Sequence, residues 1–321
     1  MKSYWLAPSG SGIALERREV PRPEANAGQL LVTVRASSFN RGELIPHAAV
    51  GHNAKPAGGE CAGEVAALGA GVTGFTVGER VMGRCSGGFS EYALMDAREA
   101  LRIPPRLEFE EAAAIPLVFM VAHDMLVTHG KLEPGEWLLI TGVSSGVGVA
   151  SLQAAKALGA KVIGTSGSAA KLARLEQLGL DVGVATRGGG FHDAALHATG
   201  GKGADLVVNN VGGSVFAECV RTLAYEGRLA TVGYLDRTLK AEIDLEALHT
   251  KRLHLFGVSN KLRPAAQRAL TVRAFERDFL PYFADGRIRP VVDRVFAFDE
   301  LRAGLEYFES NAMLGKVVVR M

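Results

Sequence analysis

The sequence predicts an α/β protein of two domains, a doubly wound parallel sheet and a smaller, irregular β-barrel. Three observations carry this. A chain of 321 residues is too long for one compact core. From Gly135 to about Gly257, near-continuous apolar runs (WLLITG, KVIGTS, DLVVNNVG, RLATVGY) alternate with helix-like stretches (SLQAAKALG, AKLARLEQLG, FAECVRTLAYEG). Runs buried on both faces and alternating with helices imply a parallel sheet covered on both sides. The first hundred residues instead read as short strands interrupted by glycines.

In chain order, QLLVTVRASS alternates, with Leu30, Val32 and Val34 on one face and Thr33 and Arg35 on the other, as a half-buried strand should. GGECAGEVAALGAGVTGFTVGERVMGR is a series of short β-branched segments broken by glycines, the pattern of a small barrel. Past Pro104–Pro105 comes EFEEAAAIPLVFMVAHDML, a long Ala-rich stretch that suits a helix, whose N-terminal dipole favours Glu110 and Glu111. The three helices between the apolar runs each close on a glycine. After Arg263 a helical stretch precedes IRPVVDRVFAF and GKVVVRM, which read as strands returning to the first domain.

Apolar residues are 48% of the chain and charged residues 22%, ordinary for a globular protein. The net charge of +2, with both signs interleaved, favours neither nucleic acid nor a membrane surface as partner. The start, MKSYWLAPSG, lacks the apolar run of a signal peptide, and no window reaches the length of a membrane span. Cys61, Cys85 and Cys219 are far apart and odd in number, forming neither a disulfide framework nor a four-cysteine zinc lobe. A cytoplasmic protein with reduced thiols is the simplest expectation.

WLLITGVSSGVG, followed at once by VASLQAAKALGA, is a strand, a tight loop of small residues and a helix. That is the grammar of a phosphate-binding turn, although Val143 and Ser145 stand where G-x-G-x-x-G has its first two glycines. Gly146 and Gly148 leave room for approach and packing, Ser144 and Ser145 add hydroxyl donors, and a helix starting near Val147 aims free N–H groups at phosphates. A glycine-rich turn without a ligand is the bland alternative. An NAD site places a carboxylate about twenty residues beyond the loop. Here Thr165-Ser166-Gly167-Ser168 has no acid until Glu176, and Lys171 follows within a turn. Hydroxyls, helix-end N–H groups and one ammonium suit a 2′-phosphate, so NADPH is expected, read by Ser166, Ser168 and Lys171. Lys171 as a solvated helix residue and Ser168 as an ordinary N-cap stay open beside it.

GGECAGEVAALGAGVTGFTVGERVMG, GGFSEYAL, EEAAAIPLVFMVAHDML, LLITGVSSGVGVASLQAAKALGAKVIGT, LVVNNVGG and GKVVV together resemble the medium-chain dehydrogenase/reductases, specifically the zinc-free quinone oxidoreductase branch that includes ζ-crystallin. The resemblance spans essentially the whole chain. It implies a GroES-like β-barrel catalytic domain over 1–110, completed by 264–321, and a Rossmann domain over 111–263, with the cofactor in the cleft. Homodimers joined through the edges of the Rossmann sheets are the implied assembly.

Zinc-bearing relatives hold their metal at positions that match Asn40, Gly59 and Leu117, none of them a good zinc ligand. Glu60 remains from a His-Glu pair, and His47, His52 and Cys61 fit no standard metal spacing. No metal is therefore expected. The resemblance maps the asparagine near the nicotinamide onto Asn40, whose amide would serve the substrate oxygen or the cofactor, a turn-forming loop Asn being the alternative. The tyrosine that many relatives carry shortly after is missing from ELIPHAAVGH. His123 is a candidate donor on the helix that passes the cleft in the family, with a buried structural histidine as the blander reading. Asn210 and Gly212, Gly233 and Tyr234, and Val258, Ser259 and Asn260 match strand ends that approach the cofactor.

The expected function is hydride transfer from NADPH to a small-molecule quinone or α,β-unsaturated carbonyl without zinc. Reduction of a simple aldehyde or ketone, and a cofactor-binding protein with little turnover, are the alternatives. The segments 45–56 and 234–263, which should line the substrate pocket, carry no readable specificity code.

Overall fold

The computed structural model describes residues 1–9, 12–44 and 53–321. They fall into two units, Met1–Leu117 with Pro264–Met321, and Val118–Arg263.

The second unit is built on six parallel strands: β1 (Trp137–Thr141), β2 (Lys161–Ser166), β3 (Val182–Ala185), β4 (Ala204–Asn209), β5 (Leu223–Thr231) and β6 (His254–Gly257). Their order is β3-β2-β1-β4-β5-β6. This is the strand order of a Rossmann sheet, with the reversal of direction between β1 and β4. The central strands are buried on both faces, with Leu138, Leu139, Ile140, Val162, Ile163, Val207 and Val208 all inaccessible. The edge strands β3 and β6 keep only partial cover, which is why VGVA and HLFG lack the continuous apolar run that marks their neighbours.

Two local readings of the sequence differ from the structure. The stretch FAECVRTLAYEG is helical only over Phe216–Thr222, and β5 begins at Leu223. The strand kinks there, with Glu226 at φ 56° and the pairing to β4 skipping between Leu223 and Arg228. The long Ala-rich stretch is three pieces: Phe109–Ala113, Pro116–His123 and a π-helical turn over Asp124–His129. Pro116 has no N–H to continue the first piece, and its ring disfavours a helical residue before it.

In the first unit, the strand Gln29–Ser38 buries Leu30, Val32 and Val34 as its alternation requires. It lies in a seven-stranded sheet between Glu60–Leu68 and the C-terminal strand Lys316–Arg320, antiparallel to both, with Val292–Ala297 at the edge. The two ends of the chain thus complete one sheet. Phe109–Ala113 packs on Gln29–Ser38 and Glu60–Leu68 and buries Ala112 and Ala113. That packing carries the first unit on to Leu117 rather than ending it at 110. Among the described residues no helix is long and apolar enough to cross a membrane.

Candidate active site

In the second unit, the residues expected to meet the cofactor gather at the carboxyl edge of the sheet because every strand runs the same way. Ser144, Ser145, Gly146, Val147 and Gly148 follow β1. Ser166, Ser168 and Lys171 end β2 and open the next helix, and Asn210 and Gly212 follow β4. Gly233 and Tyr234 follow β5, and Val258, Ser259 and Asn260 follow β6. In the loop after β1 the tight turn is made one residue before Val143, by Gly142 at φ 65°. Gly148 is where helix and strand meet most closely, since a Cβ there would stand 2.5 Å from the Gly142 carbonyl oxygen.

The donors of this edge are only partly used. Ser145 caps the helix Gly146–Ala157, its Oγ accepting from the Gly148 N–H at 3.1 Å. Gly146 and Val147, in the first turn, have N–H groups with no partner among the described residues. Ser144 and Ser166 share a hydroxyl–hydroxyl bond of 3.1 Å. Ser168 Oγ accepts from the Lys171 N–H at 3.3 Å and so caps its helix, leaving its own O–H to donate elsewhere. Unread in the sequence is Arg187, just past β3. Its side chain lies over Gly167, where an added Cβ would come 3.0 Å from Nε. Two hydroxyls and a guanidinium therefore lie at the end of β2, with Lys171 in the first turn of the helix that follows, a donor set that fits a phosphate.

Other expected residues are turned to the fold. Asn210 donates its amide N–H to the Thr141 carbonyl at 2.9 Å. Ser259 Oγ accepts from the Lys261 N–H at 3.2 Å, and Asn260 Oδ1 accepts from Arg263 at 3.4 Å. His123 is buried at the point where its helix widens into the π-turn, with Nδ1 3.5 Å from Thr128 Oγ1.

The first unit holds a different site. Asn40, Gly59 and Leu117 do converge, but on Glu60. The fully buried Glu60 carboxylate accepts from Asn40 Nδ2 at 2.6 Å, from the Leu117 N–H at 2.7 Å, from Lys316 Nζ at 3.0 Å and from the Ser38 hydroxyl. Lys316 also donates to Asn40 Oδ1 and to the Phe39 carbonyl, each at 2.8 Å. The Asn40 amide also donates to Glu43 Oε1 at 3.2 Å and to the Ser38 carbonyl at 3.4 Å, and the Glu43 carboxyl rests against Gly59. Burial and the Glu60 charge push Glu43 up to about 7, against the opposing pull of Asn40 and Lys316. Ser38, Glu43 and Lys316 are the members that sequence reading missed.

An amide, a glycine and a leucine are no zinc-binding set, and the ammonium on Glu60 would repel a dication. The residues present do not fit zinc. His47 and His52 lie outside the described residues, and Cys61 is buried in its strand.

Residues 26–105 match the alcohol dehydrogenase GroES-like domain family, and residues 146–272 match the zinc-binding dehydrogenase family. The chain is 28% identical to acryloyl-coenzyme A reductase of Metallosphaera sedula, over 95% of this chain and 96% of that protein. It is 29% identical to the quinone oxidoreductase-like protein 2 homolog of Nematostella vectensis, over 82% of this chain and 72% of that one. Against a phenolphthiocerol/phthiocerol polyketide synthase of Mycobacterium tuberculosis it is 31% identical over 95% of its length, yet spans only 14% of that much longer protein. The fold is that of mycobacterial Rv1454c, solved in complex with NADPH, at a TM-score of 0.90 and 24% identity over 100% of both chains. The chain belongs to the medium-chain dehydrogenase/reductase superfamily, with a GroES-like domain and a Rossmann domain. Its relatives by sequence include a quinone oxidoreductase-like protein and an acryloyl-coenzyme A reductase.

Proposed function

We propose that this oxidoreductase uses NADPH to reduce an activated double bond, in a quinone or an α,β-unsaturated carbonyl, without zinc. The observation that carries the reading is the end of β2, where Ser166 and Ser168 offer hydroxyls, Arg187 lies over Gly167, Lys171 sits in the first turn of the next helix, and no carboxylate comes before Glu176. A 2′-phosphate is nearly dianionic at neutral pH, so it needs such donors and rejects a nearby acid. The open N–H groups of Gly146 and Val147 would take the pyrophosphate. Bound there, NADPH supplies the hydride.

On the substrate side, reduction of a quinone or enone leaves a delocalised oxyanion, which needs hydrogen-bond donors more than a Lewis acid. Asn40 would serve that oxygen by exchanging one of its longer bonds, to Glu43 at 3.2 Å or to the Ser38 carbonyl at 3.4 Å, and keeping the 2.6 Å bond to Glu60. The acryloyl-coenzyme A reductase among the relatives supports an unsaturated carbonyl acceptor. A homodimer through the β6 edge is the accompanying proposal, and Leu239, Leu245 and Leu262, in the chain segments before and after β6, are exposed.

The test is NADPH oxidation followed by absorbance against a panel of quinones, enals, enones and an enoyl thioester, with and without chelator. Turnover with at least one activated double bond, unchanged by the chelator, is expected. Activity confined to simple aldehydes, or abolished by the chelator, would overturn the reading. Binding without turnover would make the chain a cofactor-binding protein.

A further inference from the structure

The loop between β3 and the helix His192–Ala198 reads Thr186-Arg187-Gly188-Gly189-Gly190-Phe191. Three successive glycines give a backbone with more freedom to lose than any other sequence, so something must hold it. At its start, the Thr186 N–H donates to the Ser166 carbonyl at 2.9 Å, and Thr186 Oγ1 donates to the Gly189 carbonyl at 2.7 Å. At its end stands Glu218, from the helix Phe216–Thr222. Its carboxylate accepts the N–H groups of Gly190 at 2.9 Å, Phe191 at 2.7 Å and His192 at 2.8 Å. One turn further on, Thr222 Oγ1 meets His192 Nδ1 at 3.1 Å. Glu218 is nearly buried, and its carboxylate presses on Gly189 so closely that a Cβ there would collide with Oε2.

A carboxylate with three converging backbone donors is a strong local anchor. It fixes the far end of a loop whose near end is tied to Ser166 and whose only charged side chain leans over Gly167. We propose that Glu218 is a positioning residue for cofactor choice, clamping the glycine loop so that Arg187 stands over the end of β2 where the 2′-phosphate binds. The inference rests on the reading of NADPH given above and adds to it the part that sets the guanidinium in place. Without the clamp the three glycines are free to swing, and Arg187 binds phosphate only after the loop has been ordered again. NADH has no phosphate at that point, so its affinity does not depend on the clamp.

The test is the dissociation constant of NADPH and of NADH, by fluorescence titration, for wild type, Arg187→Ala, Glu218→Gln and the double variant. Arg187→Ala should weaken NADPH roughly tenfold or more, the value of one charge-assisted contact, and leave NADH unchanged. Glu218→Gln should weaken NADPH by about threefold or more with NADH again unchanged. Since both act through one side chain, the double variant should be no weaker than Arg187→Ala alone. Gly189→Ala displaces the carboxylate without removing it and should reproduce Glu218→Gln, which covers the case in which that variant does not fold. Equal losses for both cofactors in Glu218→Gln or Gly189→Ala, or additive losses in the double variant, overturn the positioning role. A wild type without preference for NADPH, with Arg187→Ala silent, instead overturns the cofactor reading.

Discussion

The carboxyl edge of the parallel sheet and the Glu60 cluster are both polar and both built from residues far apart in sequence, yet they use hydrogen bonds in opposite ways. At the sheet edge the serines cap helices through their oxygen lone pairs, and Gly146 and Val147 keep N–H groups open. In the cluster the carboxylates and the amide answer one another, Lys316 on Glu60 and Asn40, Asn40 on Glu60 and Glu43, with the Leu117 N–H completing Glu60. The first arrangement has capacity for an anion. The second carries its own cation, and in low dielectric such a network stabilises only as a complete set. The difference teaches where to look for ligand dependence and where to look for folding energy.

The contrast breaks most directly at Lys316, which is 4% exposed. Lys316→Met leaves the Glu60 carboxylate buried with no cation, a change that typically costs about 3–5 kcal/mol. The urea midpoint of the purified chain should drop accordingly, while the NADPH affinity of the folded fraction stays put. A cost below about 1 kcal/mol, the value of an exposed pair, would mean that water reaches the cluster and that it is not closed.

Glu43 sharpens the comparison through pH. Its carboxyl keeps its proton to about 7 in the folded chain, against an ordinary 4.5 when unfolded. Between those values the unfolded chain binds fewer protons than the folded one, so this group makes stability fall as pH rises and level off above about 7. The full decline is at most about 3 kcal/mol. Glu43→Gln keeps the shape but cannot ionise. Measured by denaturation, it should gain on wild type from about pH 5 to about pH 8. A constant difference across that range would show that Glu43 is already ionised in the folded chain.

Much of this was legible before the structure. Leu30, Val32 and Val34 announced their strand, and the run from Trp137 to Gly148 announced a strand, a tight loop and a helix start, because both patterns are local. Pro116 was equally visible, and its break in the Ala-rich stretch follows from its missing N–H. What stayed hidden depends on neighbours distant in sequence. Glu60 and Lys316 are 256 residues apart, and only the return of the C-terminal strand to Gln29–Ser38 brings them together. Arg187 had a signal, since β3 lies beside β2 and parallel strands end on one edge. Without a continuous apolar run the sequence hid β3, and with it the arginine.

The smallest effect is expected at Ser168, where the fold and the proposed ligand would share one hydroxyl. Its Oγ accepts the Lys171 N–H at 3.3 Å, and its hydrogen is left for a phosphate. Ser168→Ala removes both functions, and loss of an N-cap costs about 1 kcal/mol. Ser168→Gly also removes the hydroxyl, but glycine at an N-cap costs only a few tenths of a kcal/mol, because water reaches the freed N–H. Thermal denaturation should therefore separate the two variants. Fluorescence titration should not, since neither offers the phosphate a donor and both should lose NADPH affinity by the same factor. If alanine weakens NADPH and glycine does not, the serine acts through its helix and makes no contact with the ligand. The open edge would then rest on Lys171, Arg187 and the backbone alone.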